Sequence, residues 1–275
     1  MPEGDTIHRT AAALRRALVG GRLTRVVLPR VAPPLPEVGA EVVAVEARGK
    51  HLLVHGDDGL TVHTHQRMTG AWHLYAPGQP WRKPRGAARV VLAVPGRVAV
   101  CFSSPVVEVL RTRELSRHPT LRRLGPDLCD PAADLEEALT RLAGLRAPEG
   151  GRPLSIGEAL LDQRVACGVG NVYRSEVLFL HGIDPSTPLQ AVGADERRAL
   201  LATAGHLLRD NLGTTARTTV PGAPPGSLWA YGREQQGCRR CGSVIGREEL
   251  GDPPRVVYRC PACQPRGPLS MQPAG

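Results

Sequence analysis

The chain has 275 residues, 35 of them basic and 26 acidic, giving a net charge of +9 and a pI near 9.7. That length leaves room for more than one domain, and the charge favours a polyanionic partner. No run approaches the ~18 consecutive apolar residues of a membrane span, and the start lacks the basic-then-apolar pattern of a secretory leader. A cytosolic protein with no membrane partner is therefore expected. Nearly all the positive charge is arginine, since Lys50 and Lys83 are the only lysines. Arginine suits bidentate phosphate contacts, although a compositional bias of the source would give the same excess.

The chain opens Met1-Pro2-Glu3. With Met1 removed, Pro2 would present a secondary amine beside a carboxylate. A terminal amine titrates near pH ~8 and a lysine near ~10.4, so an appreciable share of the former is unprotonated and can attack a sugar aldehyde carbon. The same residues suit a plain helix start, where proline's fixed φ and an early carboxylate are both favoured. Asp5 or Thr6 is expected to cap a helix running to about Leu18, with Ile7, Ala11, Leu14 and Leu18 on its buried face. From Leu23 to Leu110, short β-branched runs broken by glycine and proline predict an antiparallel sandwich or barrel. Residues 51–55 and 60–64 flank Asp57-Asp58-Gly59, and residues 88–94 and 97–102 flank Pro95-Gly96, which predicts two hairpins.

Lys50 stands just before the apolar run Leu52-Leu53-Val54. It reads either as a solvated strand end or as a cation that binds substrate phosphate or sugar and lowers the pKa of the terminal amine. The stretch from His63 to Gly70 sets Met68 among polar residues, where it is either ordinary core or a wedge for a base stack. After Leu110 the chain turns polar, and helical patterns from about Asp134 to Asn211 predict a second domain. Residues 158–165 read as one helix and 166–170 as a glycine-rich turn. Residues 171–180 read as a second helix capped by Asn171, whose exposed donors suit a phosphate. An ordinary helical hairpin fits this stretch equally well, with Cys167 as a small filler. A Thr-, Pro- and Gly-rich loop over 213–227 leads to a cysteine module, and 265–275 reads as an untethered tail.

Cys238-x2-Cys241, eighteen residues, then Cys260-x2-Cys263 have the spacing of one structural zinc ion with four cysteine ligands. Val244-Ile245 and Val256-Val257-Tyr258, around Gly251-Asp252-Pro253, predict the two strands of a zinc ribbon that needs its metal to fold. Arg239, Arg240, Arg247, Arg255 and Arg259 favour a nucleic-acid contact for this ribbon.

Taken in order, Pro2-Glu3-Gly4, Arg48-Gly49-Lys50, the loop ending at Gly70, the turn from Gln163 to Arg174 and the four-cysteine ribbon resemble one family over residues 1 to 264. It is the formamidopyrimidine-DNA glycosylase and endonuclease VIII (Fpg/Nei) family, and the opening six residues are most similar to its actinobacterial endonuclease VIII-like branch. The resemblance implies an α+β multidomain chain. An N-terminal helix and antiparallel β-sandwich would form a catalytic domain over 1–120, followed by a helix-two-turns-helix domain over 121–222, a zinc finger over 223–264 and the tail. It implies Pro2 as nucleophile, Glu3 as acid/base and Lys50 as the essential lysine. Asn171 would bind phosphate, Arg255, five residues before Cys260, would be the zinc-finger phosphate clamp, and Met68, beside Arg67, would fill the void left by an extruded base.

The implied activity is that of a base-excision-repair DNA glycosylase with abasic-site lyase (β,δ-elimination) activity, working through an N-terminal proline imine. Its partner would be damaged DNA, whether duplex, bubble or single-stranded, met by a monomer in the bacterial cytosol at the nucleoid. Two departures bear on this. The family usually carries Pro and Glu where this chain has Asp5 and Thr6, so a carboxylate aiding sugar-ring opening is either missing or supplied by Asp5. The branch that processes 8-oxoguanine has an Arg and a Phe together in a loop that here, over 103–119, contains no Phe. Oxidised pyrimidines and a tolerance for unpaired DNA are therefore expected. An abasic-site lyase with weak base excision and a non-catalytic zinc-ribbon DNA-binding paralogue stand as alternatives.

Overall fold

The computed structural model describes residues 2–147 and 151–266, so Met1 and all of the expected tail except Pro265 and Arg266 lie outside the described residues. The chain forms two compact units, divided between Leu124 and Gly125.

The first unit starts with helix α1 (Gly4–Leu18), whose Ile7, Ala11, Leu14 and Leu18 are all buried, as their three-to-four spacing requires. Neither Asp5 nor Thr6 caps it. The helix starts at Gly4 with Glu3 in the extended cap position, so Asp5 and Thr6 fall inside the first turn. Eight strands follow: β1 (Arg25–Val27), β2 (Val42–Arg48), β3 (His51–Gly56), β4 (Leu60–His65), β5 (Ala71–Tyr75), β6 (Ala88–Val94), β7 (Arg97–Phe102) and β8 (Val106–Arg111). They make two antiparallel sheets in the orders β1-β6-β7-β5 and β2-β3-β4-β8. The expected hairpins β3–β4 and β6–β7 form, turned by Gly59 and Gly96 at φ of 75° and 77°.

The α1 stripe packs with Leu52, Val54 and Val62 of one sheet and Val90, Leu92, Ala99 and Cys101 of the other. Strand β3 is buried on both faces. Leu53 points away from that core and packs with Leu115 and Leu121, carried by 3-10 turns at Thr112–Arg117 and Leu121–Arg123. His51, His55 and His63 on this second face are consequently cut off from water and have to find partners.

The second unit contains helices α2 (Leu135–Ala143), α3 (Ile156–Ala159), α4 (Asn171–Leu180) and α5 (Ala194–Asp210), packed around Leu142, Ile156, Tyr173, Val177, Leu200 and Leu208. The single helix expected over 158–165 is absent. Helix α3 starts at a Ser155–Glu158 capping box and stops at Ala159. Beyond it the Gln163 amide donates to the carbonyls of Leu161 and Val169 at 2.8 and 2.9 Å and accepts from Gly168 N at 3.1 Å, which folds the segment into turns. A hairpin of β9 (Gly246–Leu250) and β10 (Arg255–Arg259) forms the ribbon. Its first strand lies later than Val244-Ile245, because Val244 makes an isolated bridge to Gly237 and Ile245 is buried in the ribbon's core. No helix among the described residues is long and apolar enough to cross a membrane.

Candidate active site and metal centre

Two carboxylates sit in or beside the first turn of α1. Glu3 and Asp5 are 0% and 1% exposed, and the Thr6 hydroxyl donates to Asp5 Oδ1 at 3.4 Å. Pro2, half-buried, precedes Glu3 directly. The first turn of a helix is its positive end, which stabilises ionised carboxylates there. An amine at residue 2 would thus have a shielded acid/base as its immediate neighbour.

Lys50 occupies the tight turn between β2 and β3, where Gly49 has a φ of 56°. It is half-buried rather than a freely solvated strand end. The rings around it escaped the sequence reading. His51 pairs with His65 across β3 and β4, and the two rings stack with centroids 4.5 Å apart. Burial, aided by the charges of His65, His63, His118 and Lys50, pushes His51 down to about 3. His65 is pushed down to about 4 by burial and then by Lys50 and Arg67. Both rings are neutral at physiological pH, so the positive charge beside them comes from Lys50 and Arg67 and not from a histidine.

Met68 is 61% exposed, which removes the core reading for it. Its neighbour Arg67 has a left-handed φ of 46°. Gly70 closes the turn by donating to Gln66 O at 2.9 Å, and a Cβ there would stand 2.8 Å from Gln66 Cα, so only glycine fits. The Thr69 hydroxyl donates to Ser103 O at 2.9 Å, tying this turn to the three-residue link 103–105 between β7 and β8.

In the second unit Asn171 is the first residue of α4 and not its cap. Gly170 holds the cap position in extended backbone, and no side chain caps the helix. Asn171 is largely buried, and Gly168, with a φ of 109°, turns the chain into it. The middle of α4 serves as a dock. Arg174, fully buried, donates from Nη2 to the carbonyls of Val256 at 2.5 Å and Arg255 at 3.5 Å. Tyr258 N donates to Ser175 Oγ at 3.3 Å, and Phe179 stacks on Trp229 at 5.5 Å. Helix α4 thereby fixes the backbone of β10 and leaves Arg255 exposed at the strand's start.

The four cysteines of the ribbon converge. Cys238 Sγ lies 3.9 Å from Cys263 Sγ, Cys241 Sγ lies 3.4 Å from Cys260 Sγ, and all four sulfurs are within 4.8 Å of one another. Tetrahedral thiolates at ~2.3 Å from a zinc ion would be about 3.8 Å apart, whereas a disulfide needs about 2.05 Å. Arg240 N and Cys263 N each donate to a cysteine sulfur at 3.4 Å, as thiolates in a metal knuckle require. This cluster can hold a metal ion.

Comparison with known proteins agrees with both halves. Residues 1–105 match the family described as the formamidopyrimidine-DNA glycosylase N-terminal domain, and residues 124–220 match the formamidopyrimidine-DNA glycosylase H2TH domain. The chain is 43% identical over 269 residues to the probable endonuclease 8 2 of Streptomyces coelicolor, covering 96% of this chain and 94% of that protein. It is 39% identical over 269 residues to the DNA-(apurinic or apyrimidinic site) lyase Nei2 of Mycolicibacterium smegmatis, covering 96% and 99%. The crystal structure of the MutM (Fpg) protein from Thermus thermophilus superposes with a TM-score of 0.78 at 27% identity, covering 97% of this chain and 100% of that one.

Proposed function

This chain belongs to the formamidopyrimidine-DNA glycosylase and endonuclease 8 family, and from that premise we propose that it excises oxidised pyrimidines from DNA and cuts the strand at the abasic site. The observation that carries this reading is Pro2 placed directly before the buried Glu3 at the positive end of α1. Once Met1 is removed, the Pro2 nitrogen attacks C1′ while Glu3 handles the protons that move as the base leaves and the sugar ring opens. The iminium so formed acidifies the C2′ proton. β-Elimination expels the 3′ phosphate, and δ-elimination then expels the 5′ phosphate. Asp5, buried beside Glu3, takes the part of the family carboxylate absent at Thr6.

Lys50 binds the sugar-phosphate next to the lesion, and Asn171 and Arg255 bind flanking phosphates. The exposed Met68, with Arg67, fills the space that the extruded nucleotide vacates. The segment 103–119 contains no Phe to join an Arg in filling the gap opposite the lesion, which supports oxidised pyrimidines over 8-oxoguanine and activity on bubble or single-stranded DNA. In this reading residues 1–120 are the catalytic domain, 121–222 the helix-two-turns-helix domain and 223–264 a finger built on one zinc ion. The enzyme works as a monomer in the cytosol.

A panel of oligonucleotides carrying an oxidised pyrimidine, 8-oxoguanine or an abasic site, each in duplex, bubble and single-stranded form, tests this. Release of the oxidised pyrimidine and cleavage that leaves phosphates on both sides of the gap are expected. Cleavage of abasic DNA with no base release from any lesion would reduce the protein to a lyase.

A further inference from the structure

Four side chains form a continuous polar chain across the second face of β3, β4 and β8. His51 Nδ1 lies 2.9 Å from His63 Nε2, His63 Nδ1 lies 2.9 Å from Glu108 Oε2, and the same oxygen lies 3.1 Å from His118 Nε2. Strand register produces this alignment. Leu53 pairs with His63 and His63 with Glu108, and His51, two residues before Leu53, shares their face. His118 arrives from the end of the covering 3-10 turn at Thr112–Arg117.

Proton positions can be assigned from the far end. Leu121 N donates to His118 Nδ1 at 3.2 Å, so that nitrogen is bare and His118 carries its proton on Nε2, pointed at Glu108. Burial raises Glu108, but the hydrogen bonds and charges of His63 and His118 outweigh it and hold the carboxyl below its ordinary range. As an ionised acceptor, Glu108 takes the Nδ1 proton of His63. His63 Nε2 must then accept, so His51 donates from Nδ1 and its own Nε2 is bare. Every proton in the chain points toward Glu108, and the open end is one residue from Lys50.

The ligand atoms of His63, Glu108 and His118 also lie within 4.8 Å of one another, a set that suits zinc. A metal on His118 Nε2, however, would move the imidazole proton to Nδ1 and set it against the Leu121 N–H, donor against donor. The hydrogen-bonded chain has no such conflict.

We propose that His51, His63, Glu108 and His118 form a proton relay for the Lys50 end of the catalytic site, acting as positioning residues for the lyase steps. A proton taken up at His51 Nε2 displaces the Nδ1 proton onto His63 Nε2, and His63 passes its Nδ1 proton to Glu108. The result is a protonated Glu108 and three neutral rings. The Glu108 side chain is 43% exposed and so exchanges that proton with water. At its inner end His51 stacks on His65, and the charge of Lys50 acts on both rings, with Arg67 acting on His65 from the next turn. This inference rests on the reading that Lys50 belongs to the catalytic centre.

Two measurements on the full chain separate the relay from that reading. Nitrogen NMR of labelled histidines at neutral pH should show uncharged rings, with protons on Nδ1 of His51 and His63 and on Nε2 of His118. A cationic His51, or an Nε2-protonated His63, overturns the relay. Single-turnover cleavage of an abasic duplex between about pH 5 and 8 should be slowed at least about tenfold by Glu108→Gln, with a flattened pH profile. Glu108→Asp should restore part of the rate, and the yield of borohydride-trapped adduct should be unchanged. An unaltered rate and profile in Glu108→Gln overturns the catalytic role. If the wild-type chain forms no adduct, the Pro2 reading fails while the tautomers still decide the relay. A zinc equivalent lost on His118→Ala would overturn the relay in favour of a metal site.

Discussion

Glu176 is fully buried on α4, and donors occupy both of its oxygens. The Thr219 hydroxyl and Trp229 N, at 2.7 Å, reach Oε2, while Ala230 N and Tyr231 N reach Oε1 at 2.8 Å each. A carboxylate so surrounded is stable without water, because every lone pair that burial strips of solvent is repaid by a donor. It pins the loop that leads into the ribbon. Glu176→Gln must turn an NH2 group either toward the Ala230 and Tyr231 N–H donors or, flipped, toward the Trp229 N–H, where only the Thr219 hydroxyl can rotate to accept. Chemical denaturation should show a loss of about 2–4 kcal/mol in the stability of the second unit, and a loss under ~0.5 kcal/mol would contradict this role. Glu3 and Asp5 are likewise buried carboxylates, at the other end of the chain.

At the scale of elements, α4 explains most of what the sequence hid. Its central Arg174-Ser175-Glu176 is polar, yet residues 171 to 179 are all buried, Tyr173, Val177 and Leu178 in the helical core and the polar three under the ribbon and its leading loop. A pattern of polar residues cannot announce a partner that lies over 80 positions away in the chain, as Val256 does from Arg174. Turns with obligatory glycines were legible, and so β3–β4 and β6–β7 formed where expected. The end of α3 at Ala159 was not, since the Gln163 side-chain bonds that bend the stretch beyond it leave no mark in the sequence. The ribbon's own core is small, Cys238, Cys260 and Ile245 with Tyr258 and Cys263 laid on Phe179, Trp229 and Ala230, the kind of core that depends on a metal for its fold. Strong chelation should therefore remove one zinc ion, release Arg255 from its fixed strand and weaken DNA binding. Arg255→Ala should flatten the dependence of log affinity on log salt by about one unit. A metal-free protein with full DNA affinity, or an unchanged salt slope in the variant, would contradict the clamp.

For the whole molecule, the net charge of +9 suits a long polyanion but does not distinguish a repair enzyme from any other DNA-binding protein. The ordered succession of Pro2-Glu3, Lys50, the Met68 loop, the Asn171 turn and the four cysteines made the family legible, because independent motifs rarely fall in one order by chance. The His51–His63–Glu108–His118 chain was invisible in that order. It exists only in the register of three strands and a covering turn, which no local pattern encodes. Whether Pro2 is the nucleophile is read out by borohydride trapping on abasic DNA followed by peptide mapping of the adduct. A single covalent adduct on Pro2, present only in chains that have lost Met1 and absent from an N-terminally extended chain, is the predicted result. An adduct mapped to Lys50 or any other residue, or one that persists in the extended chain, would contradict it.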